Sequence, residues 1–189
     1  MRKDAQENQQ EIINCAKQLF AEQGVAAVSM NQIAKTLGIG AGTLYRHYAN
    51  KSMLCMALVY DDLTTFVADS RQYLDNNSSA PKVQFQFVLE SYLHFREHNQ
   101  DLLKNVDAGS ETASESYFYS SDSYQDVVAV FVQVLHENLP QLTLQRCQFR
   151  ADMLIAMLKS DAYAYQRQVR LNDQKKLVEE ITALFLGEA

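Results

Sequence analysis

An all-α protein is the expectation from this sequence, and three observations carry it. Apolar residues recur with a period near 3.6 over most of the chain. Only two prolines and six glycines interrupt 189 residues. Most of those few, with clusters of Ser, Asn and Asp, fall at the ends of the periodic stretches or between them. About nine helices are expected: a three-helix module over residues 1–52 and a larger helical part over residues 53–189.

Taken in order, MRKDAQENQQ is polar and reads either as a free tail or as an arm whose Arg2 and Lys3 brush phosphates. The first helix is expected from about Gln9 to Gln23, burying Ile12, Ala16, Leu19 and Phe20 and ending at Gly24. The next stretch, SMNQIAKTLGIGAGTLYRHYANK, organises the rest. Met30, Ile33, Ala34 and Leu37 recur at i, i+3, i+4 and i+7, one face of a helix. Ser29 stands at its N-cap with Gln32 three residues on, the spacing of a capping box, and Val28 and Ile33 are placed as a hydrophobic staple. Gly38 follows the last apolar residue, where a left-handed cap favours glycine. A second helix from about Ala41 to Tyr48 then begins after a very short turn, which makes a helix-turn-helix. At about 100° per residue, Leu44 and Tyr48 face inward while Gly42, Thr43 and Arg46 face out, flanked by Tyr45 and His47. Such a face suits a DNA major groove: Arg46 for a guanine edge, Thr43 for a base or phosphate, Tyr45 and His47 for the phosphate walls. Lys51, opening the next helix behind the cap Asn50, is expected at a phosphate.

Residues from about Gln9 to Leu58 resemble the tetracycline-repressor (TetR) family of bacterial regulators. The resemblance rests on IINCAKQLFAEQG and VSMNQIAKTLGIGAGTLYRHYANKSML, with Ala16, Gly24, Gly38, Gly42, Tyr45, His47, Tyr48 and Lys51 where the family's pattern has such residues. It implies an N-terminal DNA-binding domain and a C-terminal helical domain for effector binding and dimerisation. The DNA-binding set would be Ser29, Met30, Gly40, Ala41, Gly42, Thr43, Tyr45, Arg46, His47 and Lys51. It also implies a palindromic double-stranded operator, a homodimer and release by a small-molecule effector, with no catalytic residue, cofactor or metal. The rival reading is a protein-interaction or architectural DNA-binding protein of the same fold without an effector.

The net charge of −6 does not argue against DNA. Residues 1–52 hold six Lys and Arg against four Asp and Glu; residues 53–189 hold eleven against nineteen. The acidic excess is confined to the part expected to face away from a polyanion. The longest apolar run, Met53 to Tyr60, is too short to span a bilayer, and the N-terminus has no signal-peptide core. Cys15, Cys55 and Cys147 follow neither a zinc spacing nor a disulfide framework, so a cytoplasmic protein with thiols in its core is expected.

The fourth helix, from Lys51 to about Leu74, turns Leu54, Leu58, Val67 and Leu74 inward and reads as a rigid connector. The turn formers Asp75 to Pro81 end it. A fifth helix reaches about Glu97 with Val83, Phe87 and Leu93; its His94 and His98 have metal-ligand spacing but no third ligand close in sequence. A short sixth helix covers about Gln100 to Ala108. The stretch Ser110 to Ser123 reads as a loop. A seventh helix, about Asp122 to Glu137, carries Val127, Val128, Phe131, Val134 and Leu135. An eighth runs from Thr143 to about Arg167, and a ninth starts behind Asn172. By the resemblance, the effector cavity lies among the middle helices, with Tyr92, Phe95, Tyr117, Phe118, Phe131, Met153 and Met157 as lining candidates. The last two amphipathic helices would pair across the dimer through Leu154, Leu158, Leu177, Ile181 and Phe185.

Overall fold

The computed structural model describes residues 2–108 and 121–187. They form ten helices: α1 (Arg2–Gln23), α2 (Met30–Leu37), α3 (Ala41–His47), α4 (Lys51–Asn76), α5 (Pro81–His98), α6 (Gln100–Ala108), α7 (Asp122–Asn138), α8 (Leu144–Lys159), α9 (Asp161–Gln168) and α10 (Gln174–Leu186). No strand occurs among the described residues. The all-α expectation holds, with an N-terminal helix-turn-helix and a larger helical part.

Two differences in element boundaries have local causes. α1 begins at Arg2, not near Gln9, so the polar N-terminus is helical. Ala5, Gln6, Glu7, Gln9 and Gln10 are all good helix formers with no glycine or proline among them. The single helix expected from Thr143 to about Arg167 is instead two, α8 and α9. Ser160 sits between them in an extended conformation; its Oγ donates to the Met157 carbonyl at 2.6 Å and accepts from the Tyr163 N–H at 3.4 Å. A serine that bonds the backbone on both sides competes with helix continuation. The apolar period alone does not register such a break. Further on, the cap of α10 is Asp173, whose Oδ1 accepts from the Lys176 N–H at 2.7 Å, one residue after the expected Asn172.

Contacts group the chain into two compact units. The first takes residues up to Asp62 together with the segment that begins at Asn99; the second takes Leu63–His98 and the helices that follow α6. The boundary falls inside α4, later than the expected division after residue 52. In the first unit, Ile12, Ala16, Phe20, Ile33, Leu44, Leu54 and Leu58 form one buried cluster, and Leu102 of α6 packs against it. Lys17 of α1 reaches Asp61 at 2.7 Å and Asp62 at 2.9 Å, tying α1 to the middle of α4. Cys55 is buried in this core, which pushes its thiol up to about 11 despite the Lys51 ammonium nearby.

In the second unit α7 packs against α5 and α8, α10 against α5, and α9 against α8. Phe131 is at the centre. Its ring meets Tyr92 edge-on at 5.5 Å, and Tyr92 lies 5.4 Å from Phe66 and 5.8 Å from Phe95. This aromatic cluster joins α4, α5 and α7. Three expected pocket residues, Tyr92, Phe95 and Phe131, are thus brought together, with Phe66 as an unforeseen fourth. Met153 is exposed and Met157 half-buried on α8, so Met153 does not line this interior. Tyr117 and Phe118 lie outside the described residues.

The expected dimer residues need correction. Leu154, Leu158, Leu177 and Ile181 are buried within the chain's own core; only Phe185 is part-exposed. A periodic apolar stripe says that a helix buries one face, not which chain buries it. A second apolar face does exist: Phe149 is 65% exposed, Met153 46% and Leu184 69%. Phe149 and Met153 stand four residues apart on α8. Arg150, between them, donates from Nη1 to the Phe185 carbonyl of α10 at 2.5 Å, which places the two helices side by side. Val83, expected on the apolar stripe of the fifth helix, is also exposed, as is Leu144 at the start of α8.

Candidate nucleic-acid interface

The helix-turn-helix is built from local signals that the sequence displays. Ser29 Oγ accepts from the Gln32 N–H at 3.2 Å, capping α2. The reciprocal half of the capping box is missing, because Gln32 Nε2 donates instead to Gln23 Oε1 of α1 at 2.8 Å. Val28 and Ile33 are both buried, as a staple requires. Gly38 has φ +69°, and the N–H groups of Gly38 and Ile39 return to the carbonyls of Lys35 at 3.1 Å and Ala34 at 3.0 Å. This double closure ends α2 and redirects the chain within two residues into Gly40, whose carbonyl accepts from Thr43 at 2.8 Å to start α3.

α3 has one fully buried side chain, Leu44; Tyr48 follows as its C-cap and is buried as well. Their burial fixes the rotation of the helix. Ala41, Gly42, Tyr45 and Arg46 are exposed, and Thr43 and His47 are half-buried. Arg46 Nη2 donates to Thr43 Oγ1 at 3.2 Å, so guanidinium and hydroxyl stand together on the outer face. A Cβ added to Gly42 would meet nothing within 4 Å and the position needs no positive φ, so the fold itself does not require glycine there.

Beside this face lies an open groove of about 410 Å³, lined by Ser29, Met30 and Asn31 of the α2 start, by Tyr45, and by Asn50 and Lys51 of the α4 start. Two helix N-termini thus border it, each offering N–H groups that suit an anion. Asn50 Oδ1 accepts from the Met53 N–H at 2.9 Å, the expected cap of α4. Asn31 was not foreseen; it lies on the exposed side of the first turn of α2, which the apolar stripe does not mark. The Met30 side chain is buried and belongs to the core, leaving only its backbone for a ligand. Lys51 is not free either: Nζ donates to the carbonyls of Val25 and, at 3.5 Å, Ala26, and stands 5.7 Å from the centre of the Phe20 ring.

A family model described as bacterial regulatory proteins, tetR family, matches residues 12–58. An HTH-type transcriptional regulator of Staphylococcus aureus (strain USA300) is 38% identical over 170 residues, covering 90% of this chain and 88% of the relative. The chain belongs to the tetR family. It is a DNA-binding transcriptional regulator. Solved structures agree in fold. The transcriptional regulator FadR from Bacillus subtilis, in complex with stearoyl-CoA, has a TM-score of 0.65 at 16% identity, over 95% of this chain and 99% of that one. A regulator of the TetR/AcrR family from Thermobifida fusca has a TM-score of 0.62 at 18% identity, over 95% and 97%. No helix among the described residues is long and apolar enough to cross a membrane.

The two glycines of the module should respond oppositely to alanine. Gly38→Ala forces a Cβ into a left-handed cap and should cost about 1 kcal/mol. Gly42→Ala meets open space in a helix and should stabilise by roughly 0.5–1 kcal/mol. Urea unfolding of the two variants checks both signs.

Proposed function

We propose that this regulator is a repressor that binds a palindromic operator as a homodimer and is released by a small-molecule effector. The observation that carries the DNA half of the reading is the outer face of α3. It holds a hydrogen-bonded Arg46–Thr43 pair, an unexplained Gly42 and an exposed Tyr45, all beside a groove bordered by two helix N-termini. Arg46 presents two parallel donors to a guanine edge, and Gly42, Ala41 and Gly40 let the helix approach the bases closely. Ser29, Tyr45 and His47, with Asn31 and the N–H groups at Met30, serve the phosphates.

Selection of bound sequences from a random DNA pool tests this. A palindrome should be enriched by the wild-type chain. Arg46→Ala should bind the same palindrome with relaxed preference at one symmetric base pair, worth about 1–3 kcal/mol per contact. An unchanged preference would remove Arg46 as a reader, and no enrichment by a folded dimer would remove the operator.

The second apolar face supports the dimer. Phe149, Met153 and Leu184 leave water only if another surface covers them, and a two-fold axis through neighbouring α8 and α10 brings each patch against its own copy. Phe149→Glu should give a folded monomer by sedimentation and lower operator affinity at least tenfold, through loss of linkage between the half-sites.

For the effector, the interior around Phe66, Tyr92, Phe95 and Phe131 favours an apolar molecule. On its solvent side an open cleft of about 150 Å³ lies between α4 and α7, lined by Leu63, Thr64, Val67, Ala68, Arg71, Ser123 and Asp126, with Arg71 and Asp126 paired at its surface. This is smaller than the roughly 300–1,000 Å³ of ordinary ligand sites. An effector entering there must therefore displace side chains, which is how binding energy would be coupled to a change of state. The close packing of Phe66, Tyr92, Phe95 and Phe131 favours the second reading, a DNA-binding protein that uses no effector. Stearoyl-CoA is the first probe, since FadR of the same fold binds it. A rise in Tm with loss of operator binding would support the effector. No shift with stearoyl-CoA or with a panel of apolar acids and amines would favour the second reading.

A further inference from the structure

We propose that Ser70 anchors the effector by a hydrogen bond, and that the effector is accordingly an uncharged molecule: an apolar body carrying a hydroxyl, carbonyl or amide. The proposal rests on the reading that an effector enters the interior of the second unit.

α4 turns Leu63, Phe66, Val67, Ser70 and Leu74 inward, at i, i+3, i+4, i+7 and i+11, one stripe of a helix. Four of these five side chains are apolar. Ser70 has none of its surface exposed, and its Oγ has no hydrogen-bond partner in the protein. A serine within a helix can bond the carbonyl four residues back, here that of Phe66. Ser70 does not. Thr182, equally deep on α10, does: its Oγ1 donates to the Val178 carbonyl at 2.6 Å. Gln84 on α5 donates to the Asn77 carbonyl at 2.9 Å. Of the buried Ser, Thr and Gln side chains described in this unit, Ser70 alone makes no hydrogen bond. An alanine would suit the helix at least as well and bury no polar group.

The surroundings define what could use this hydroxyl. Phe66, one turn before Ser70, lies 5.4 Å from Tyr92, and Tyr92 meets Phe131 edge-on. The open cleft between α4 and α7 is lined by Val67 and Arg71, so solvent comes within one helical turn of Ser70. An incoming molecule finds aromatic rings for its body and a hydroxyl for one polar group. That hydroxyl can donate or accept. A charge finds nothing there. No Asp, Glu, Lys or Arg is among the buried side chains described. Arg71, the guanidinium next in sequence, is half exposed and holds Asp126 at 2.7 Å. A carboxylate or ammonium beside Ser70 would lose its water without gaining a counter-ion. A neutral group exchanges a hydrogen bond to water for one to Ser70, and relieves a hydroxyl that folding leaves unpaired.

Two measurements on the full-length protein test this. The first needs no ligand. Ser70→Ala removes the unpaired hydroxyl and should raise Tm by roughly 2–8 °C. An unchanged or lower Tm would mean that the hydroxyl is satisfied in the free protein, and would overturn the proposal. The second uses three probes with one flat body: naphthalene, 2-naphthol and 2-naphthoate. In fluorescence titrations at neutral pH, 2-naphthol should bind saturably and at least tenfold more tightly than 2-naphthoate. Ser70→Ala should lose about tenfold on 2-naphthol and nothing on naphthalene. Equal binding of 2-naphthol and 2-naphthoate, an unaltered affinity of the variant for 2-naphthol, or no binding of 2-naphthol to the wild type would each overturn the proposal. Operator binding is read alongside. Ser70-dependent binding of 2-naphthol that leaves the operator bound would keep the site and remove effector release. Release by stearoyl-CoA that is unaltered in Ser70→Ala would keep the effector and remove Ser70.

Discussion

Leu44 is the side chain on which this molecule's reading face depends. α3 has seven residues, and an isolated helix shorter than about 12–15 residues is marginal in water. It has no side-chain cap at its N-terminus, only the Gly40 carbonyl. What holds it is the burial of Leu44, with none of its surface exposed, and of Tyr48 just beyond its last turn, among Ile33, Ala16, Leu54 and Leu58. Full burial of a leucine contributes about 1.5–3 kcal/mol, more than any exposed pair on this helix can. Burial also fixes rotation. Turning the helix by one residue would expose Leu44 and drive Tyr45 or Thr43 into the core. The direction in which Arg46 points is therefore a property of the packing behind it.

The same logic orders the surrounding contacts. Gly38 sets the angle between α2 and α3 by adopting a backbone that other residues reach only with strain. Ser29, Asn50 and Lys51 each satisfy backbone groups at the ends of elements: Ser29 and Asn50 accept from orphan N–H groups, and Lys51 donates to orphan carbonyls. None buries much apolar area. They act by making one arrangement of α1, α2 and the α4 start cheaper than its neighbours. A reader held this way can be rigid without being large, which suits recognition of bases at sub-ångström tolerance.

This explains which parts of the protein are legible in its sequence. Signals confined to one turn of chain are read correctly: the Ser29 cap, the Gly38 stop, the inward stripe of α1, the outward Thr43 and Arg46, the Asn50 cap. Each rests on neighbours within four residues. What the sequence leaves open depends on distant partners. The stripes of Leu154, Leu158, Leu177 and Ile181 look the same whether they close the chain's own core or a dimer. The less regular Phe149, Met153 and Leu184 carry the exposed face. Gln32 has the spacing of a capping box but meets Gln23 first. Ser160 breaks a helix whose apolar period continues through it. In every case a local pattern is consistent with two environments, and the tertiary fold chooses between them.

The charge distribution then bears on how such a small reader can bind DNA at all. Residues 1–52 carry an excess of only two positive charges, and the remaining chain is acidic. A module of this kind gains little non-specific affinity from electrostatics, and its salt dependence should be shallow for a DNA-binding protein. On the proposed reading, affinity comes from hydroxyls, amides and backbone N–H groups on the phosphates, which demand good geometry, and from Arg46 at the bases. Each half-site is therefore weak and exacting. In the proposed dimer, joining two half-sites through the Phe149, Met153 and Leu184 face would turn two weak events into one strong one, because the second is intramolecular. The weaker the single reader, the more the outcome depends on the separation between the two copies. A regulator controlled through its dimer geometry gains from a reader that is rigid, precise and nearly uncharged, and loses little by being acidic elsewhere.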